Sequence, residues 1–345
     1  MKTRNPTKLA ALMLCVLGGT PAATQSAPPT AVRVTPDNFA RAETDMYFTN
    51  VVGRAGLGRL DHYRELMPIA RQTVVRPNRD TLYSSGVFDL DAGSVTITLP
   101  DAGKRFLSLQ IIDEDHYVPI VVYGGGTHRF TREQVGTRYM LAGIRILIDP
   151  TDAKDAEKVH ALQDAIKVSQ PGGPGAFEAP QWDKASQKQV RDALGALRAT
   201  VPDFKRAFGP RGQVDPVRHL IGAATAWGGN PDKDATYLNV TPAKNDGATV
   251  HRLTVGAVPV DGFWSISVYN AQGYFDASQS SFTLNSLTAK KSPDGTVTVQ
   301  FGGCNKAPAN CLSIVPGWNY MVRLYRPRPE ILDSQWVFPE AQPAP

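Results

Sequence analysis

The sequence lacks any uninterrupted apolar stretch of the roughly 18 to 20 residues that a membrane-spanning helix requires. We therefore expect no membrane span in its 345 residues. The apolar segment 9–17 is too short to cross a bilayer, and it follows a basic start containing Lys2, Arg4 and Lys8. Small residues come next, as in a Sec-type signal peptide. The pattern predicts a cleavable signal over residues 1–22 and a periplasmic or secreted protein. An ordinary hydrophobic N-terminal helix is the alternative.

The chain also lacks a large excess of charge of one sign. It has 37 Lys and Arg against 32 Asp and Glu, a formal net charge of +5. Three of the basic residues lie in the predicted signal, so the rest of the chain is close to charge balance. Little net positive charge then remains to neutralise phosphates, and we expect no nucleic-acid partner.

Cysteine is scarce, with three residues in the whole chain. Cys15 lies in the predicted signal, which leaves Cys304 and Cys311. Two cysteines without nearby histidine supply too few ligands for a zinc site, and we expect no metal. An even pair in an exported protein favours a disulfide between Cys304 and Cys311. Two free thiols are the alternative.

Several catalytic motifs are missing from the sequence. It contains no Gly-x-Ser-x-Gly elbow, no His-Glu-x-x-His pair and no Walker-type loop. Its six histidines are scattered without ligand spacing. We therefore expect no cofactor. A Ser–His–Asp site assembled from distant segments stays open, because triads are recognised by geometry.

Glycine and proline are plentiful, with 30 and 27 residues, and they separate short β-forming segments. Such spacing favours antiparallel sandwiches over repeated βαβ units. We predict helices over 36–52 and 60–67, and a Pro-rich tail that frays. The domains expected are an N-terminal β-sandwich over 35–150, a helical connecting region over 151–235 and a C-terminal β-sandwich over 236–340.

Three segments carry a family resemblance. Residues 74–85 (VVRPNRDTLYSS) resemble the bacterial family called domain of unknown function 1254. Residues 261–269 (DGFWSISVY) and 323–332 (RLYRPRPEIL) resemble its usual C-terminal partner, domain of unknown function 1214. The resemblance implies two β-sandwich domains joined by helices, immunoglobulin-like at the N-terminus and jelly-roll-like at the C-terminus. It implies no agreed biochemical role. Residues 311–318 depart from the usual Asn-Trp-Leu-Pro pattern, so the rim of a shared pocket is expected to differ.

The richest polar segment runs from Asn78 to Tyr83. The residue before Pro77 is biased towards an extended conformation, and Asn78 supports a turn. A rigid loop could then aim Arg79 and Asp80 at a ligand while Tyr83 enters the next strand. Arginine suits planar carboxylates and phosphates, and tyrosine offers a flat face and a hydroxyl. An internal Arg79–Asp80 salt bridge with an Asx turn is the alternative.

Two predicted strands of the C-terminal domain place aromatic and basic residues together. Alternation puts Trp264 on one face of the strand 263–269 and Tyr269 on the other. Arg323 and Tyr325 share a face of a second strand. An arginine with two tyrosines on neighbouring strands would form a wall for a sugar or an acidic ligand. A tyrosine that caps the edge of a sandwich explains the pattern equally well.

The acidic segment Asp113–Asp115 with His116 suggests a metal or acid–base site, since oxygen ligands suit calcium. The EF-hand pattern is absent, however, and a solvated strand end is the favoured interpretation. Asp113 stays a weak candidate for a catalytic base, with Asp80 as a second and Tyr83 as an acid.

Three functions are compatible with these observations. The first is an exported, cofactor-free protein that binds a small polar or acidic, carbohydrate-like ligand in a cleft between two β-sandwiches. The second is a cell-envelope hydrolase or lyase in the same cleft, and the third is a structural or interaction module. We make no prediction of oligomeric state. The predicted ligand-binding residues are Asn78, Arg79, Asp80, Tyr83, Trp264, Tyr269, Arg323 and Tyr325.

Overall fold

The computed structural model describes Met1 and residues 31–72, 74–306 and 309–344. Apart from Met1, the predicted signal peptide lies outside these residues. Of the described residues, 23% are helical and 27% lie in strands, which confirms a mainly β protein with helices. Within the described residues, no helix has the length and apolar character needed to cross a membrane.

The regular elements are numbered here in chain order. The helices α1 to α6 span Phe39–Ala55, Arg132–Val135, Ala153–Asp164, Lys184–Arg198, Pro216–Thr225 and Pro329–Leu332. The strands β1 to β16 span Asp61–His62, Thr81–Asp89, Val95–Leu99, Leu107–Asp113, Ile120–Tyr123, Gly126–Phe130, Tyr139–Leu147, Lys167–Ser169, Ala235–Val240, His251–Val255, Trp264–Tyr269, Thr283–Asn285, Val297–Phe301, Cys311–Leu312, Asn319–Tyr325 and Gln342–Pro343.

The N-terminal domain holds two antiparallel sheets, with strand orders β1-β2-β7-β4-β5 and β6-β3-β8. Side chains alternate across a strand, and β3 buries Val95, Ile97 and Leu99 while its threonines are only partly covered. These apolar residues join one core with residues of β2, β4 and β7. The strand β8 follows α3, so the helical connecting region adds a strand to this domain through the pair Ile97↔Val168.

The C-terminal domain also holds two sheets, β14-β13-β10-β16 and β12-β11-β15-β9. One hydrophobic core lies between them and includes Phe301 and Val299 from the first sheet and Ile266 and Val322 from the second. The expected fraying of the tail is wrong, because β16 pairs with β10 at His251↔Pro343.

Three of the helices, α1, α4 and α5, pack on one another. Helix α1 contacts α4 and α5 through a cluster that includes Phe39, Leu194 and Ile221. It begins at Phe39 rather than at residue 36, because Asn38 Oδ1 accepts a hydrogen bond from the Thr35 amide (2.8 Å) and holds a turn there. The helix expected over 60–67 is wrong, since β1 pairs instead with β2. Helices α3, α4 and α5 confirm a helical middle region, and each begins with an aspartate N-cap.

Candidate functional site

The two motif groups meet where the segment before β2 lies on β11 and β15 of the C-terminal domain. The Tyr269 hydroxyl donates to the Pro77 carbonyl (2.9 Å), and Arg323 Nη2 donates to the Arg76 carbonyl (2.9 Å). Arg323 also donates to the Tyr269 hydroxyl (2.7 Å) and to Ser267 Oγ (2.9 Å). The face of β11 and β15 opposite the C-terminal core therefore carries the contact between the domains.

Asn78 joins one tyrosine of each domain. Its Nδ2 donates to the Tyr83 hydroxyl (2.9 Å), and it also lies 3.3 Å from the Tyr325 hydroxyl. Its Oδ1 accepts from the Asp80 amide (2.9 Å), which is the predicted Asx turn and fixes the side chain. The Tyr325 ring stacks on Phe263 with centroids 4.2 Å apart. Two hydroxyls from separate domains are thus held together by one amide.

Arg145 on β7 completes this group and was missed by the sequence analysis. It pairs across the sheet with Tyr83, and its guanidinium lies over the Tyr83 ring, 5.4 Å from the centroid. Its Nη1 donates to Gln110 Oε1 (2.5 Å) and its Nη2 to the Gly228 carbonyl (3.2 Å). No described carboxylate forms an ion pair with Arg145. The sequence feature that could have identified Arg145 is its position between two isoleucines in a buried strand.

The loop after α5 places the side-chain amide of Asn230 beside Arg145. Asn230 Oδ1 lies 3.4 Å from Arg145 Nη1, and Asn230 Nδ2 donates to the Tyr237 hydroxyl (2.9 Å). A side chain cannot replace the hydrogen of Gly229, since an added Cβ would lie 2.3 Å from the Phe208 ring. The close approach of this loop to Phe208 therefore sets the position of Asn230.

We call this group the interdomain cluster; its members are Asn78, Tyr83, Arg145, Asn230, Tyr237 and Tyr325. Asn230 and Tyr325 are buried, at 5% and 3% exposure. The other four side chains are only partly covered. The cluster thus combines two buried residues with four that are partly covered.

The two tyrosines that share Asn78 differ in acidity. Burial alone would raise the pKa of Tyr83, but the Arg145 guanidinium and hydrogen bonds from Asn78 and Thr81 lower it below its ordinary value. Burial and the neighbouring Tyr83 raise the pKa of Tyr325 well above its ordinary value. Opposite shifts at adjacent groups are typical of acid–base pairs, although structural networks produce them as well.

Asp80 lies outside the interdomain cluster. It is fully buried, and its Oδ1 is approached by Asn285 Nδ2 (3.3 Å) and Thr283 Oγ1 (3.5 Å). Its Oδ2 has no hydrogen-bond partner among the described residues. Burial raises the pKa of Asp80, while Arg323 opposes the rise. In the described residues, the alternative Arg79–Asp80 salt bridge does not form.

Four other predicted ligand-binding residues lie outside the cluster, and one of them, Arg323, is bound at the domain contact described above. Arg79 donates to the Met67 carbonyl and lies over the Phe282 ring, 5.5 Å from its centroid. Trp264 packs in the C-terminal core against Phe338, on the opposite face from Arg323. Tyr269 is fully buried with its hydroxyl occupied. Of the predicted set, Asn78, Tyr83 and Tyr325 are the residues that meet in the cluster.

Asp113 organises the turn between β4 and β5. Its Oδ1 accepts from the amides of Asp115 (2.9 Å) and Tyr117 (2.8 Å). Burial, with the nearby Asp115 charge, raises the pKa of Asp113 to about 7 although these amides oppose the rise. The described residues hold no group of three or more His, Cys, Asp or Glu placed to bind a metal. The predicted disulfide between Cys304 and Cys311 is confirmed.

Comparisons with solved structures show the fold. A crystal structure of the VPA0106 protein from Vibrio parahaemolyticus superposes with a TM-score of 0.65 at 16% identity, covering 90% of this chain and 100% of that chain. A crystal structure of an uncharacterised protein from Burkholderia cenocepacia gives a TM-score of 0.52 at 15% identity, covering 89% of this chain and 86% of that chain. No curated protein matches this chain.

Comparison with protein families agrees with the arrangement of the motifs. The family described as protein of unknown function (DUF1254) matches residues 57–143, which contain Asn78 and Tyr83. The family described as protein of unknown function (DUF1214) matches residues 235–329, which contain Tyr237 and Tyr325. The interdomain cluster therefore draws residues from both matched segments. The chain belongs to the family of proteins that carry an N-terminal domain of unknown function 1254 and a C-terminal domain of unknown function 1214.

Proposed function

We propose that this protein binds a small acidic ligand at the interdomain cluster. The observation that carries the proposal is the pairing of Arg145. A largely buried guanidinium is ordinarily matched by a carboxylate. The described partners of Arg145 are oxygens of Gln110, Asn230 and Gly228 and the hydroxyl of Tyr83, and none of them is a carboxylate. A ligand carboxylate would supply the missing negative charge.

The rest of the cluster suits the body of a carbohydrate-like acid. Tyr83, Tyr237 and Tyr325 offer hydroxyls, and tyrosine rings offer flat apolar faces to a sugar. Asn78 and Asn230 add amides, which both donate and accept hydrogen bonds. Because these residues come from both domains, bound ligand would stabilise the contact between them.

We also infer the finer features that the family resemblance implies. These are an immunoglobulin-like N-terminal sandwich, a jelly-roll-like C-terminal sandwich, and export to the periplasm or outside the cell. The Cys304–Cys311 disulfide supports export, since disulfides persist in oxidising compartments.

A matched pair of sugars tests the binding proposal. Galacturonate and galactose differ in the carboxylate, so thermal unfolding with each isolates the role of charge. We expect galacturonate, or another sugar acid in a panel, to raise the melting temperature while its neutral partner does not. The Arg145→Gln variant should lose this response. Arg129→Gln, which removes the same charge from the exposed strand β6, should keep it.

The opposite outcome would assign a structural role to the cluster. If no acid in the panel stabilises the wild type, or if a folded Arg145→Gln responds like the wild type, ligand binding at Arg145 is wrong. Native mass spectrometry of protein taken from its periplasm provides a second readout. A bound acid should be detected on the wild type and on Arg129→Gln, and it should be absent from Arg145→Gln.

One observation favours a second function, a lyase that acts on the same acid. The lowered pKa of Tyr83 suits a proton acceptor, and the raised pKa of Tyr325 suits a donor. Arg145 would neutralise the carboxylate while Tyr83 removes the adjacent proton and Tyr325 protonates the departing oxygen. Ultraviolet absorbance of the unsaturated product tests this function. Tyr83→Phe should abolish product formation and keep ligand binding, whereas a wild type that binds without forming product is a binding protein only.

A further inference from the structure

A polar pocket lies on the outer face of the sheet β14-β13-β10-β16. A cavity of about 330 Å³ opens there. Cations and neutral polar side chains line it, without a carboxylate, and they include Arg252, Lys290, Lys291, Ser292, Thr298 and Asn310. We call this the basic pocket. The C-terminal core and the sheet β12-β11-β15-β9 separate it from the interdomain cluster.

The three cations of the basic pocket are unpaired within the described part of the chain. Arg252, Lys290 and Lys291 form no ion pair with a described carboxylate. Other exposed cations do find partners, as Arg328 does with Asp261 and Lys188 with Asp192. Like charges held around one cavity repel each other, and an anion placed between them would relieve the repulsion.

The pocket is held in shape before any ligand binds. Asn310 Nδ2 donates to the carbonyls of Lys290 (2.8 Å) and Thr298 (3.1 Å), and its Oδ1 accepts from the Lys290 amide (2.8 Å). The disulfide at Cys311 closes the loop that carries Asn310. Arg252 Nε donates to Gln300 Oε1 (3.0 Å), which fixes the third cation. A site that is already ordered loses less entropy on binding.

We propose that the basic pocket binds a phosphate group. Ligand pockets range from about 300 to 1,000 Å³, so this cavity suits one head group rather than a polymer. Lysines act as point charges towards a phosphate, and the hydroxyls of Ser292 and Thr298 can donate to its oxygens. The phosphate belongs either to a free small anion or to the head group of an anionic phospholipid.

Titration of the mature protein with inorganic phosphate tests the proposal, followed by flotation with phosphatidylglycerol or phosphatidylcholine vesicles. We expect phosphate, phosphatidylglycerol vesicles or both to bind, and phosphatidylcholine vesicles to be ignored. The Lys290→Gln/Lys291→Gln variant should bind at least tenfold more weakly. Lys154→Gln/Lys158→Gln, the same charge change on exposed residues of α3, should bind within twofold of the wild type.

Each result has a defined meaning. Phosphate binding without vesicle binding assigns a free anion, and vesicle binding alone assigns a lipid head group. Equal binding by wild type and the Lys290→Gln/Lys291→Gln variant, or binding of neither probe by the wild type, overturns the proposal. The Lys290→Gln/Lys291→Gln variant should keep the melting-temperature response to galacturonate that is expected of the interdomain cluster, so the two tests fail independently.

Discussion

Replacement of Asp113 by asparagine separates a structural role from a catalytic one. Asparagine keeps the Oδ1 that accepts from the amides of Asp115 and Tyr117, and it cannot ionise. The side chain is almost fully buried, at 2% exposure, so its charge is costly in the folded state. Asp113→Asn should therefore stabilise the protein wherever the wild-type carboxylate is forced to ionise.

The sign and size of this change in stability follow from the pKa of Asp113. Burial raises it from the ordinary 3.8 to about 7, so the folded state holds its proton over a range in which the unfolded state releases it. The stability from this proton is complete below pH 3.8 and declines as the pH rises through about 7. At about 1.4 kcal/mol per pKa unit, the whole decline is roughly 4 kcal/mol as an upper limit.

Urea unfolding at pH 4, 6 and 8 measures the effect. The difference in free energy of unfolding between Asp113→Asn and wild type should be small at pH 4 and reach a few kcal/mol by pH 8. Asp101→Asn, at an exposed aspartate that caps a similar turn, serves as the control. Parallel curves for Asp113→Asn and wild type would refute the reasoning. If Asp113→Asn is stabilised but loses the response to ligand, the result would instead indicate that Asp113 belongs to the functional site.

Three further changes test the packing around the candidate site. Arg323→Met removes the guanidinium that opposes the rise in the pKa of buried Asp80 and that donates to the Tyr269 hydroxyl and the Arg76 carbonyl. We expect a loss of about 3–5 kcal/mol in urea unfolding, part of which Asp80→Asn should restore in the double variant. A loss below about 1 kcal/mol would contradict this role of Arg323. Cys304→Ala/Cys311→Ala opens a short loop and should cost about 2.5 kcal/mol, and reductant should destabilise only the wild type. Gly229→Ala places a Cβ 2.3 Å from the Phe208 ring and should cost about 1–3 kcal/mol, while Gly53→Ala in α1, where an added Cβ meets no atom within 4 Å, should be neutral or stabilising.

Part of the candidate site could be predicted because its residues are contiguous. Asn78 and Tyr83 lie in one polar segment, and the Asx turn between Asn78 and Asp80 is a local preference of asparagine. Arg145, Asn230 and Tyr237 could not be found in this way. Each lies in a different element, and no short-range pattern shows that a cross-strand pair, a loop after α5 and an edge strand converge.

Burial also reversed the expected roles of some residues. Asp80 and Arg323 were predicted to face a ligand. Instead, each of them is buried where its own domain contacts the other domain. Trp264 occupies the core because the alternation of β11 turns it away from the domain contact. Residue type predicted the chemistry available, whereas exposure decided which groups a ligand can reach.

The sequence by itself determined the mainly β character, the helical middle and the disulfide, which follow from local patterns: the spacing of apolar residues, the punctuation by glycine and proline, and the count of cysteines. The family follows instead from the resemblance of the motifs at residues 74–85, 261–269 and 323–332. Only the tertiary structure decided that the two motif groups meet and that Arg145 lies over Tyr83 without a described counter-ion. The physical reason is that contacts between distant segments depend on how whole sheets pack, and side-chain alternation within a strand cannot specify that packing.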